Sequence, residues 1–308
     1  MDKYLLSILG SSVDSFYESD TYPDVGDFSH ARYISTAAGG PPLNVGAICA
    51  AKGQSVYALD MLGEEDETTP FLLSELKRLH FNTDLVQIAK GVRNGKVLIF
   101  LTGDQRTMFV IDPIRPHYEM SEEIQELLNN ATYIYSLMHM ISRSFASIDP
   151  LLQAKKNGAR IILDGSSKYD DPSRVKVLYD LADGLFINET SYQRLKENSP
   201  GEPKDIILNN GGEFVIVTQG SKGSTLYLKD REIFRPSVPN LEVIDSTGAG
   251  DAFAGCFIAC LLKQIPYEKA LSYATVNGAY ACTVLGGLGG LSSFEDLETF
   301  AKEHNYEL

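Results

Sequence analysis

The stretch DSTGAGDAFAG, residues 245 to 255, sets a carboxylate, Asp251, directly after a Gly-Ala-Gly turn. It also stands at the start of an apolar run, AFAGCFIACLL, that reads as a buried helix. Helix N-termini present free backbone N–H groups and the positive end of the peptide dipoles, so they attract anions. Gly248 and Gly250 remove the side chains that would hold a phosphate at a distance. Gly248, Ala249 and Gly250 therefore make a candidate oxyanion cradle, with Asp251 beside it to take the proton from an attacking hydroxyl. A first-turn Asp is also a common capping residue, and on this residue alone both readings stand. The two glycines before it and the apolar helix after it favour phosphoryl transfer. The segment is neither a Walker A loop, which needs GxxxxGK, nor GxGxxG, because Phe253 stands in place of the third glycine.

The elements that must hold this turn alternate. Apolar runs suited to strands recur at 4–9, 55–62, 132–137, 159–164, 184–188 and 213–218. Helical spacing fills 43–52, 70–79, 121–130, 144–157 and 173–182, and the chain turns helical again through 266–285 and 293–304 around a Gly286–Gly290 break. Parallel strands need crossover connections, so the expected fold class is α/β, a mostly parallel central sheet with helices on both faces. Two regions depart from the rhythm: 14–36, polar and dotted with aromatics, and 95–112, two strands joined by the turn at 102–105. Together they predict a small β-sheet lid on a single domain spanning 1–308.

Composition narrows the partners. Hydrophobic residues make up 44% and charged residues 22% of 308, the balance of a globular chain with a sizeable core. A formal charge of −14, with no run of Lys and Arg to offset it, argues against nucleic acid and anionic membranes. An anionic substrate would need a local basic pocket. Cys49, Cys256, Cys260 and Cys282 form no CxxC pair and read as reduced core thiols. No signal peptide or long apolar span is visible, so a cytoplasmic protein is expected.

DSTGAGDAFAGCF resembles the C-terminal signature of the PfkB, or ribokinase-like, carbohydrate kinases, and AGGPPLNVGAICAAKGQSVYALDMLGEED (38–66) resembles their N-terminal signature. The resemblance implies an ATP-dependent sugar kinase with Asp251 as base and Gly248, Ala249 and Gly250 as anion hole. It further implies that Asp14, Gly39, Gly40 and Asn44 face the sugar. On the nucleotide side it implies Thr218, Gly220 and Gly223 in VTQGSKG, with Asn188, and with Asn277 near the adenine. Lys222 reads as a surface charge. Magnesium is implied with ATP, and a monovalent cation such as K+ is implied at Asp245, Thr247 and carbonyls near Gly286.

The chain departs from the family pattern at Asn-x-x-Glu: Ser191 stands where the glutamate belongs, and Glu189 lies too close along the chain simply to replace it. Magnesium is then expected to rest mainly on ATP oxygens and water. Thr68, where glycine is common, is expected to matter little. GGPPLNVG is nearer the fructokinase-like form, and the segments expected at the cleft carry few cations, Arg106, Arg115 and Lys168 among them. A free hexose such as fructose is therefore the expected acceptor. The alternatives are a nucleoside, stacked on Phe16, Tyr17 and Tyr33, and a non-catalytic sugar or nucleotide sensor; a nicotinamide enzyme lacks its glycine fingerprint. Exposed lid edges predict a homodimer through the lid.

Overall fold

The computed structural model describes residues 3–103, 105–165 and 172–308. The chain opens with β1 (Tyr4–Ile8), β2 (Ser12–Ser19), β3 (Ala31–Gly39), α1 (Pro41–Ala51) and β4 (Ser55–Leu59). β5 (Met61–Gly63), α2 (Thr69–Arg78), β6 (Phe81–Asn82) and β7 (Gln87–Ala89) lead to a hairpin, β8 (Gly95–Thr102) and β9 (Gln105–Ile111). Strands and helices then alternate: α3 (Glu122–Asn130), β10 (Tyr133–Leu137), α4 (Met138–Ser144), α5 (Asp149–Lys156), β11 (Arg160–Asp164), α6 (Pro172–Leu181) and β12 (Gly184–Asn188). The last part holds α7 (Glu189–Glu197), α8 (Pro203–Asn209), β13 (Phe214–Thr218), β14 (Ser224–Tyr227), β15 (Glu232–Arg235), α9 (Ala249–Leu262), α10 (Tyr267–Ala281) and α11 (Phe294–Glu303).

The main sheet runs β15-β14-β13-β12-β11-β10-β1-β4-β6, parallel except at the β13-β14-β15 edge. Because side chains alternate across a strand, Leu5 faces one core and Tyr4 and Leu6 the other. The first core is covered by α1, α2, α9, α10 and α11, the second by α3 to α8. From β1 the chain moves one way to β4 and later returns to β10 on the other side. That reversal opens a crevice at the carboxyl ends of β1 and β10, where ligands of open α/β sheets bind.

A separate four-stranded sheet, β3-β2-β8-β9, corresponds to the two irregular regions of the sequence. Gly103 turns the β8-β9 hairpin at φ +60; Asp104 lies outside the described residues, as does Lys168. The chain passes between the sheets at Gly10–Ser11, at Gly39–Gly40 and at Asn94. Gly40 has φ +114, a conformation that strains any other residue. At the third crossing Asn94 donates from its backbone to Asp66 and from its side chain to Thr68 and Thr69, and accepts from the Gly63 amide. Thr68, expected to matter little, is a working member of this network.

Two helical expectations change. Residues 144–157 are not one helix: α4 starts earlier, at the end of β10, and α5 restarts after a break with Pro150 in its first turn, where the missing N–H costs nothing. The segment 266–285 is helical only to Ala281. Helices α7 and α8 and the antiparallel edge strands were not anticipated.

Candidate active site

Helix α9 is apolar on every side, with Ala252 to Cys260 all buried. Its N-cap, Gly248, has φ +74, and a Cβ there would lie 2.2 Å from the carbonyl oxygen of Gly287. About two turns on, a Cβ at Gly255 would meet the Val45 carbonyl at 2.6 Å and Ile48 at 2.7 Å, so this glycine lets α1 press against α9. That close approach sets Asn44 of α1 opposite Asp251: Asn44 Nδ2 donates to Asp251 Oδ2 over 2.7 Å. Asn44 Oδ1 is buried with no hydrogen-bond partner among the described residues. The Ala249 amide reaches Ser246 O at 3.3 Å, while those of Gly248, Gly250 and Asp251 donate to no described residue. Burial pushes the Asp251 carboxyl up to about 7; the Asn44 hydrogen bond opposes this and the nearby charge of Asp164 adds to it. The group can thus accept a proton near neutral pH.

Asp251 lines a cleft of about 590 Å3 between the two sheets, together with Asp14, Gly40, Asn44, Thr247 and Gly248. Asp14 lies three residues past the first crossing, and Ser12 Oγ donates to its Oδ1 over 2.7 Å. Burial raises its pKa. A Cβ at Gly39 would fall 2.0 Å from Asp14 Oδ2, so the first of the paired glycines is the space that the carboxylate occupies. Phe16, Tyr17 and Tyr33 do not line the cleft. Tyr17 instead packs against Tyr33 and Phe100, with ring centroids 5.9 and 5.4 Å away.

The residues expected at the nucleotide fall at the carboxyl ends of β12 and β13. Asn188 is the N-cap of α7 and accepts from the Ser191 amide over 2.8 Å. Thr218 ends β13, and Gly220 and Gly223 flank the next turn with φ +57 and +121. A Cβ at Gly223 would lie 2.1 Å from the Arg235 carbonyl oxygen. Lys222 pairs with Glu189 at 3.4 Å, and Glu189 also accepts from Gln219.

Asn277 corrects an expectation. It is 0% exposed, accepts from the buried Lys52 ammonium over 2.5 Å and donates to the Gly290 carbonyl. It braces the glycine-rich segment from behind and does not face an open adenine pocket. Exposed apolar side chains that sequence reasoning missed are Val243, Ile244, Val284 and Leu285; Ile244 N donates to Cys282 O and so brings the two segments together. At the expected monovalent-cation position, Asp245 takes the Thr247 amide and hydroxyl and the Gly286 amide, and Arg106 of the small sheet stands 3.9 Å away. The carboxylate already accepts three hydrogen bonds, and a positive charge is already present. No cluster of three metal-ligating His, Cys, Asp or Glu side chains exists among the described residues.

Residues 7–292 match the family model described as pfkB family carbohydrate kinase. The chain belongs to this family. As a pfkB kinase it is a phosphotransferase with an alcohol group as acceptor. It is 27% identical to a ribokinase of Arabidopsis thaliana over 299 residues, covering 92% of this chain and 77% of that one. It is 26% identical to fructokinase-2 of Zea mays over 298 residues, covering 88% of each. The structure described as Arabidopsis thaliana ribokinase complexed with ribose and ATP superposes with a TM-score of 0.81, covering 98% and 99% of the two chains at 23% identity. The kinase has no helix, among its described residues, long and apolar enough to cross a membrane.

Proposed function

We propose that the kinase transfers the γ-phosphoryl group of ATP to a hydroxyl of a small carbohydrate, with Asp251 as general base. The observation that carries this reading is the placement of Asp251: in the cleft, beside unclaimed helix N-terminal amides, with its proton affinity raised by burial to about 7. Asp14 and the free Oδ1 of Asn44 grip acceptor hydroxyls. Asp251 takes the proton of the attacking hydroxyl, whose oxygen bonds to the γ-phosphorus as the bond to ADP breaks. The amides of Gly248 and Gly250 bind the transferred oxygens, joined by that of Ala249 as it leaves its 3.3 Å contact with Ser246 O. Asn188, Thr218, Gly220 and Gly223 hold the nucleotide, and the Val243, Ile244, Val284 and Leu285 surface supports its base. The ribokinase and fructokinase among its relatives, and the fructokinase-like first signature, make a hexose such as fructose the reference acceptor.

Magnesium, when bound, neutralises β- and γ-phosphate charge. With no three-ligand cluster among the described residues and Glu189 tied to Lys222 and Gln219, the residues fit a metal carried by the triphosphate and water. Asp245 and Thr247 do not fit K+ as they stand, and no step is assigned to it. The small sheet acts as a lid that excludes water. Its edge strands β3 and β9 and exposed Tyr33, Ile34 and Phe109 support a homodimer through that sheet. Four unpaired thiols and the use of ATP suit the cytoplasm.

Asp251→Ala is expected to lower kcat by at least ~10²-fold, the size of a lost general base, with KM for sugar and ATP within a few-fold. ADP release with magnesium-ATP over a panel of sugars and nucleosides reads this out. Tight acceptor binding without turnover in the wild type would make the chain a sensor instead.

A further inference from the structure

The cleft carries a concentration of cations that is out of keeping with a chain of net charge −14. Besides Asp14, Asp112 and Asp251, its lining includes Lys96, Arg115 and Arg143 with His117 and His139. None of the nucleotide-side residues Asn188, Thr218, Gly220 or Gly223 lines it, so these charges belong to the acceptor's side of the junction. Two of the three carboxyls, Asp14 and Asp251, stand at the hydroxyl end, where Ser12 donates to the first and Asn44 to the second, while Asp112 is paired with Arg143.

Lys96 stands on β8, paired with Glu67 at 4.0 Å, and the other four side chains are borne by two segments away from α9. The first follows β9 and is pinned at both ends. Tyr118 buries its ring, donates its hydroxyl to Leu59 O over 3.2 Å and binds Ser144 O through its backbone. Pro113 and Pro116 stiffen what lies between. Arg115, 14% exposed, is anchored from below: it reaches Asp60, which is 0% exposed, at 3.5 Å and donates to Ser11 O over 3.2 Å. The second segment is α4, launched into the cleft by β10, which supplies His139 and the half-exposed Arg143, paired with Asp112. A guanidinium has five N–H donors, and one carboxylate uses one or two of them. Both arginines therefore keep donors in a fixed fork suited to a planar or tetrahedral oxyanion.

Resting on the kinase reading, we propose that the acceptor carries an anionic group, a carboxylate or a phosphate, at its end remote from the reacting hydroxyl, and that Arg115 and Arg143 bind it. The acceptor lies along the cleft with its hydroxyls at Asp14, Asn44 and Asp251 and its charge against the 112–118 segment and α4. Fructose then occupies the hydroxyl end and leaves the arginines unmatched.

The test uses the full chain with magnesium-ATP and ADP release, comparing fructose and ribose with fructose 6-phosphate and with gluconate. An anionic acceptor should exceed both neutral sugars in kcat/KM by on the order of 10²-fold, the scale of a buried charge pair, and the arm that is turned over tells phosphate from carboxylate. Arg143→Gln, at an exposed position, and Arg115→Lys, which keeps the charge over Asp60, should each collapse that preference chiefly through the acceptor KM, with the ATP KM within a few-fold. A neutral sugar turned over at equal or higher kcat/KM, indifferent to Arg143→Gln, overturns the anionic site and leaves the kinase reading intact. ADP release with none of these acceptors overturns both.

Discussion

At the residue scale the proposed chemistry turns on how tightly Asp251 holds its proton. Desolvation raises its pKa, the Asn44 amide lowers it, and the balance near 7 leaves the group partly ionised at neutral pH. Since the base must be deprotonated, kcat/KM should fall about tenfold per unit as pH drops below 7. Asn44→Leu removes a donor to the charged form, so the acid limb should move to higher pH while ATP affinity holds; an unchanged profile would mean that Asn44 does not tune the base. Asp251 was open to sequence reading because the glycines before it mark a turn at a helix start, whereas Asp14 came only through the family resemblance, since nothing in the chain tells that its carboxylate fills the space left by Gly39. Asn277 was not open to such reading: a polar residue inside an apolar helix does not reveal that a buried lysine from 225 positions earlier will claim it.

At the scale of elements, the site depends on backbones that approach without side chains between them. Gly39→Ala would drive a methyl into Asp14 Oδ2 and turn the carboxylate away. The acceptor KM should rise by roughly 10–100-fold, the worth of hydrogen bonds to a charged group, with ATP KM unchanged; steady-state kinetics in both substrates decides this. The alternation of strands and helices was readable because buried parallel strands and their crossover helices have different periods. The split between α4 and α5 was less so, for helical spacing continues across 145–148 and only Pro150 marks the restart. α7, α8 and the β14-β15 edge stayed hidden because they are short and polar-faced, with little periodicity to show.

At the scale of the whole molecule, total charge and local charge disagree. A count of −14 says how the surface treats nucleic acid and membranes, yet it averages away the cleft, where Lys96 and Arg143 lie far apart in sequence and meet only through the fold. This is why a basic pocket could not be read from the chain. The small sheet's outer residues make a second prediction at this scale: Ile34→Glu with Phe109→Glu, at positions 40% and 50% exposed, should convert a two-chain particle into a one-chain particle in analytical ultracentrifugation. A wild type that sediments as one chain removes the homodimer.

The close contact of α1 with α9 at Gly255 has a broader meaning. Because main chain touches main chain there, the spacing between base and partner amide is locked by the scaffold, while the exposed positions of the 112–118 strap and of the short helix after β10 form a separate wall. Descendants of such a chain can exchange one sugar for another by editing that distant wall, and the step that makes the phosphoester goes on undisturbed.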